Sequence, residues 1–225
     1  MLHDATTLMP SLSVRGELAA VHRSEPRLAR LGPAPRGPVA DAHLVEIRNA
    51  DGARLYSMVS IPVPGVAGRL YAGPSPGYGP DCGPRLDALR LWGLHRVICL
   101  VPSLDLGDLL GSPGYEAAAR ARWGDGFILH GIVDYEAPGN DAAFEALVDD
   151  TVAALQAGEA VLVHCALGCG RTGLLAACIL VAQGADPIDA IETFRQVRRC
   201  GPESGDQLAY VVRYARRRVS AASPQ

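Results

Sequence analysis

The 225 residues suit one globular domain with or without an extension, and a chain of this length buries a sizeable core without covalent staples. Hydrophobic residues make up 48% and charged residues 20%, the ordinary balance of a globular protein. A formal net charge of −3 argues against nucleic acid or an anionic membrane as a partner, since both call for a basic surface.

All 21 basic residues are Arg, a side chain whose planar fork suits phosphate. Met1–Arg15 has neither the apolar stretch nor the basic start of an export signal. The longest apolar run, Gly173–Val181, is well short of the ~20 residues needed to cross a bilayer. The expectation is a soluble, cytoplasmic chain. Its six cysteines (Cys82, Cys99, Cys165, Cys169, Cys178, Cys200) are then expected as free thiols, one of them catalytic.

Residues 1–42 are rich in Pro, Gly, Ala and Arg and read as an extension of low order, with a short helix over Gly16–Leu31 interrupted at Pro26. A domain is expected over 43–220. It opens with two strands around a turn at Asp51-Gly52 and a third at Gly68–Gly73. A Pro/Gly-rich loop follows, then a helix over Pro84–Leu94 and a buried strand at Arg96–Val101. Asp105 and Asp108 read as turn and cap residues. A helix over Gly114–Trp123 and a strand at Phe127–His130 come next. Asp141–Ala157 is the clearest helix: Phe144, Leu147, Val148, Val152 and Leu155 form one stripe, Asn140 or Asp141 caps it, and Gly158 ends it. Ala160–His164 reads as a buried strand. Arg171–Val181 is an interior helix, Asp186-Pro187 opens a helix over Ile188–Arg199, and a last helix spans Glu203–Val219. Strands alternating with helices indicate an α/β layered domain. Cys99 and Cys178 lie in apolar runs and read as core, and Arg216–Arg218 reads as a solvated helix end.

The informative segment is the glycine-punctuated loop between the strand ending at His164 and the helix beginning at Arg171. Such a loop converges backbone N–H groups and a helix N-terminus on one point, which makes an anion site. Cys165 lies six positions before Arg171. Amide donors, a helix start and a guanidinium together favour the thiolate, the nucleophilic form. Arg171 can hold two phosphoryl oxygens in a fork. Thr172 offers a hydroxyl to the sulfur as it leaves. Gly168, Gly170 and Gly173 permit the tight curl, and Ala166, Leu167 and Cys169 complete the cradle.

The stretch His164-Cys165-x5-Arg171-Thr172-Gly173 resembles the signature of the protein tyrosine phosphatase superfamily, in its dual-specificity branch. "GIVDYEAP" (131–138) resembles that family's general-acid loop, with Asp134 four residues before a Pro and 31 before Cys165. "GRLYAGPSPG", a helix and "RVICLV" resemble the start of compact phosphatases of the cyclin-dependent kinase-associated type. The resemblance covers about residues 60–215 and implies a central, mostly parallel sheet between helices. It implies a two-step reaction with Cys165 as nucleophile and Asp134 as acid and then base, without a metal or cofactor. It maps Gln207, within "GPESGDQ", onto a residue that orients water. On the residues themselves, Glu136 is the fallback acid, and His164 reads as a neutral, hydrogen-bonded histidine that orders the loop.

The expected substrate is a phosphorylated protein, with phosphotyrosine and also phosphoserine or phosphothreonine accepted. A phosphatase of a non-protein phosphate, such as an inositol phosphate or an RNA 5′ end, stays open, although the loop interior carries no Lys or His. A phosphate-binding adaptor is the reading from another class. Cys169 is a candidate for a protective disulfide with Cys165, and Cys82 for reaching the site from the loop it occupies.

Overall fold

The computed structural model describes residues 43–79, 81–111 and 113–222. The expected extension 1–42, with its helix over Gly16–Leu31, lies outside the described residues. β1 (Leu44–Arg48) and β2 (Arg54–Ile61) form an antiparallel pair. At their turn Asn49 accepts from Gly52 N (3.0 Å) through its carbonyl and from Ala53 N (2.8 Å) through its side chain. β3 (Arg69–Gly73) runs antiparallel to β2 and parallel to β6 (Ala160–His164). β4 (Arg96–Cys99) and β5 (Phe127–Leu129) complete a six-stranded sheet in the order β1-β2-β3-β6-β4-β5. Only the β1–β2–β3 pairings are antiparallel, so the sheet is mostly parallel, as expected.

Two groups of helices flank it. α1 (Gly83–Trp92) packs on β1 and β2 and against the later helix α3 (Tyr115–Trp123), with α2 (Ser103–Leu110) beside α3. The other group is α4 (Asp141–Gln156), α5 (Gly170–Ala182), α6 (Pro187–Val197) and α7 (Gly205–Ala222). α5 is its hub, touching β3, β6 and the other three helices. Every residue from Gly170 to Val181 is buried, which explains why its sequence is apolar all round. Asn140 caps α4 through a bond accepted from Ala143 N (3.1 Å), and Asp186 caps α6 by accepting from Ile188 N (2.8 Å), each an interaction of about 1 kcal/mol.

Three expectations are corrected. Asp105 lies inside α2 rather than in a turn. The strand expected over Arg96–Val101 ends at Cys99; Leu100 N still donates to His164 O, and Leu100 and Val101 stay buried. Arg217 and Arg218 are not a solvated helix end. Arg217 pairs with Asp141 (3.3 Å) and Glu145 (2.6 Å), and Arg218 with Asp149 (2.6 Å), fastening α7 along α4. Among the described residues no helix is long and apolar enough to cross a membrane.

The register places Gly73, His164 and Cys99 side by side at the carboxyl ends of three parallel strands. In an open α/β sheet the crevice outside those ends is where ligands sit. The loops that follow β3, β6, β4 and β5 therefore share one edge.

Candidate active site

The loop from His164 to Gly170 hangs from β6 and feeds directly into α5. Its six carbonyls from His164 to Cys169 all have donors. His164 O accepts from Leu100 N (2.9 Å), and Cys165 O from the His164 ring (Nδ1, 3.1 Å). Ala166 O accepts from Ser75 N (2.8 Å) and Cys169 O from Gly173 N (2.7 Å). Arg198 supplies the remaining two: Nη2 donates to Leu167 O and Nε to Gly168 O, each at 2.5 Å. A trans peptide points its C=O and the next N–H in opposite directions. Carbonyls drawn outward thus turn the N–H groups of residues 165–170 toward the loop's interior. That is the geometry of an anion cradle, reinforced by the α5 N-terminus.

One glycine is required here by backbone space, and a second lies close against side-chain ends. Gly168 has φ 71°, and a Cβ on it would strike the Gly73 carbonyl. A Cβ on Gly170 would lie 2.6 Å from Glu203 Oε2 and 2.9 Å from Gln207 Oε1. Gly173, one turn into α5, supplies the bond to Cys169 O.

Cys165 (3% exposed), Arg171 (1%) and Thr172 (0%) are buried at the mouth of α5, whereas Leu167 is 62% exposed at the rim. Arg171 donates from Nη1 to Ile132 O (3.0 Å), and its Nη2 lies 3.1 Å from Asp134 Oδ1. Its Nε and the Thr172 hydroxyl have no hydrogen-bond partner among the described residues. The loop after β5 is therefore drawn over the arginine, carrying Asp134 with it. Tyr135 has φ 62°, alone among the described non-glycine residues in being left-handed, and its N–H donates to Asp134 Oδ1 (3.2 Å). Strain of this kind, about 1–3 kcal/mol, persists where surrounding structure enforces it.

Gln207 is fully buried. Its Oε1 accepts from Glu203 N (3.0 Å), and its Nε2 donates to Glu136 O (3.4 Å). Gln207 thus reaches the wall of the loop, its Oε1 2.9 Å from where a Cβ on Gly170 would lie. Glu136 is exposed and contributes its backbone to that contact.

His164 is fully buried and lies 2.6 Å from the Tyr115 hydroxyl through Nε2. A carbonyl only accepts, so Nδ1 carries the proton toward Cys165 O and Nε2 accepts from Tyr115. Burial pushes the His164 ring down to about 4, with Arg171 adding to the shift and the Cys165 carbonyl opposing it. The ring is therefore neutral at ordinary pH. Burial likewise pushes Tyr115 well above its usual value, then Cys99 and other neighbouring groups add to it. Tyr78, half-buried, is raised by burial and then by Cys165, with Arg171 opposing and Asp134 adding.

The cysteine expectations need correction. Cys169 is bonded to Cys200, with Cα atoms 5.1 Å apart, so neither is a free thiol and Cys169 is not paired with Cys165. Cys165 is a free thiol. Cys99 and Cys178 are core, as expected; burial pushes the Cys99 thiol up to about 12 and holds the Cys178 thiol well above its ordinary value. Cys82 is buried at the start of α1 and is part of the core.

Sequence reasoning missed Arg198, Tyr115, Ser75 and Glu203. Glu203 carries one signal, its place four residues before Gln207 in the same stretch. The others act through contacts 30–91 residues away along the chain, and no local pattern marks them.

Residues 118–185, which carry Asp134, Cys165 and Arg171, match a family described as "Tc-R-P: Polymorphic toxin system, DSP-PTPase phosphatase". A crystal structure of kinase associated phosphatase, with its catalytic-site cysteine replaced by serine, is similar with a TM-score of 0.65 at 19% identity. The match covers 74% of this chain and 97% of that one. PTPMT1 in complex with PI(5)P gives 0.55 at 18%, covering 68% and 94%. The human tyrosine phosphatase-like serine/threonine/tyrosine-interacting protein gives 0.52 at 19%, covering 67% and 93%. The segment 118–185 thus matches a dual-specificity phosphatase family model, and the fold is similar to that of these solved phosphatase structures.

Proposed function

We propose that the chain hydrolyses phosphomonoesters through a cysteinyl-phosphate on Cys165, with protein phosphotyrosine as the main substrate and phosphoserine or phosphothreonine also accepted. The observation that carries this reading is the cradle itself: six outward carbonyls around a buried free thiol, closed by Arg171, with Asp134 held 3.1 Å from that guanidinium. In the first step the Cys165 sulfur attacks phosphorus, the bond to the leaving oxygen breaks, and Asp134 gives that oxygen its proton. In the second, water attacks phosphorus, the S–P bond breaks, and Asp134 takes the water's proton. The inward amides and Arg171 offset the charge on the equatorial oxygens in both steps. Thr172 supports the departing thiolate, and Gln207, beside Gly170, orients the water.

The rim favours a substrate of modest charge. Leu167, Val133 and Tyr135 are all more than half exposed around a loop interior without Lys or His, which suits an aromatic ester better than a polyanionic inositol phosphate or RNA end. The adaptor reading leaves a buried free thiol inside an anion cradle without a use. A panel of phosphotyrosine and phosphothreonine peptides, an inositol phosphate and a 5′-phosphorylated RNA tests the assignment, with chelator present. Highest kcat/KM on a phosphotyrosine peptide supports it; preference for the inositol phosphate or RNA overturns the substrate class. Phosphate binding by a folded chain that turns over none of them favours the adaptor.

A further inference from the structure

The segment after α6 wraps the phosphate loop from outside. Arg198 takes the carbonyls of Leu167 and Gly168, and two residues on Cys200 is joined covalently to Cys169. A γ-turn between them (Cys200 N to Arg198 O, 2.7 Å) sets their spacing. Gly201 lies against the Cys169 carbonyl so closely that a Cβ there would collide with it. Arg195 of α6 in turn holds Gly201 O (3.2 Å) and Pro202 O (2.8 Å). Three consecutive loop residues, 167–169, are thus held by one short segment. In a trans peptide the carbonyls of 167 and 168, held by Arg198, set the direction of the N–H groups of 168 and 169; the disulfide anchors Cys169, whose carbonyl Gly173 N takes and which sets the N–H of 170. These three N–H groups are half of the inward amides in the cradle.

We propose that the Cys169–Cys200 disulfide, with Arg198, positions this half of the phosphate loop, and that Cys200 is a positioning residue for the phosphatase reaction. The proposal rests on the phosphatase reading of the same loop. The disulfide anchors Cys169 and keeps Arg198 in register with the two carbonyls it holds. A dithiol supplies two electrons and two protons: the S–S bond breaks, Cys169 and Cys200 become thiols, and the dithiol closes to its cyclic disulfide. Leu167 and Gly168 then keep Arg198 while Cys169 loses its covalent anchor, and the amides of 168–170 spend less time aimed at the anion. The oxidised chain is the better oxyanion binder and the faster enzyme. The bond also withholds Cys169 from the catalytic sulfur.

The test uses the full chain, with Cys165 shown to be a free thiol and Cys169–Cys200 intact by alkylation and peptide mass. Inorganic phosphate binding is measured by calorimetry, and kcat and KM on an aryl phosphate, for three samples: oxidised, dithiol-reduced, and reduced then reoxidised with a small disulfide. Cys200→Ser is the fourth. Removing one oxyanion donor costs roughly 10²–10³ in kcat, and a loosened loop retains its donors part of the time. Reduction should therefore weaken phosphate binding and lower kcat/KM by about tenfold, and reoxidation should restore both. Cys200→Ser should resemble the reduced form and ignore the dithiol. Unchanged phosphate affinity and kcat/KM in reduced chain and variant, with only a lower Tm, would show a merely stabilising cross-link and overturn the proposal. Two thiols that do not pair on treatment with a small disulfide would overturn it too. Phosphate binding that follows the disulfide in a chain without turnover would sink the phosphatase reading and leave the positioning claim standing.

Discussion

At the level of single residues, the site depends on groups that face away from the anion. His164 and Tyr115 never reach the cradle's interior, yet their hydrogen bonds hold the Cys165 carbonyl outward and so turn the next amide inward. Tyr115→Phe removes the donor from a buried Nε2 and should cost about 1–3 kcal/mol of stability, read as a lower midpoint in urea; an unchanged midpoint would mean the contact is idle. The buried His164 ring also makes stability depend on pH. Its folded value, about 4, is below the ordinary ~6.5 of histidine, so the unfolded chain takes the proton first as pH falls. The contribution is intact above about pH 6.5 and is lost between there and about 4, at no more than about 1.4 kcal/mol per pH unit. Burial lowers His130 also, with the same sign. His164→Gln should flatten the acid limb of stability, and equal slopes in variant and wild type would contradict this. For the chemistry itself, Asp134→Asn should lower turnover by roughly 10²–10⁴-fold with KM little changed. Turnover that stays constant would remove Asp134 and move attention to Glu136.

Legibility in the sequence differed between elements for physical reasons. The hairpin at Asp51-Gly52, the cap at Asn140, the Asp186-Pro187 start and the α5 run that is apolar after its first turn each carry their cause within a few neighbouring residues, and each lies where the pattern places it. α2 has no such signature. Its Gly107 is a poor helix former, and among its described side chains Leu106 alone is buried while Leu104 is 91% exposed. The loop from His164 to Gly173 was legible because its chemistry is packed into ten consecutive positions. Arg198 was not: it follows the α6 apolar pattern in sequence, and only the folded chain brings it to Leu167 O and Gly168 O. The Cys169–Cys200 bond was hidden for the same reason, since pairing cannot be deduced from spacing. At this scale Asn140→Ala should cost about 1 kcal/mol through lost capping, measured by urea unfolding; no change would mean that packing alone sets the start of α4.

For the whole molecule, the sheet order explains why four loops meet. β6 lies between β3 and β4, so the loops after all three strands flank one another, and the β5 loop carrying Asp134 closes over Arg171. The apolar hub α5 holds the arginine and threonine at its first turn, which joins the rigidity of the core to the placement of the site. The central claim is that phosphate passes through the Cys165 sulfur. The most direct measurement is rapid quenching of the full chain with a labelled aryl phosphate, followed by identification of the labelled peptide. The account predicts phosphate on the peptide bearing Cys165, formed within one turnover and absent in a folded Cys165→Ser variant. Turnover without label on that cysteine, or label on another residue, would contradict it.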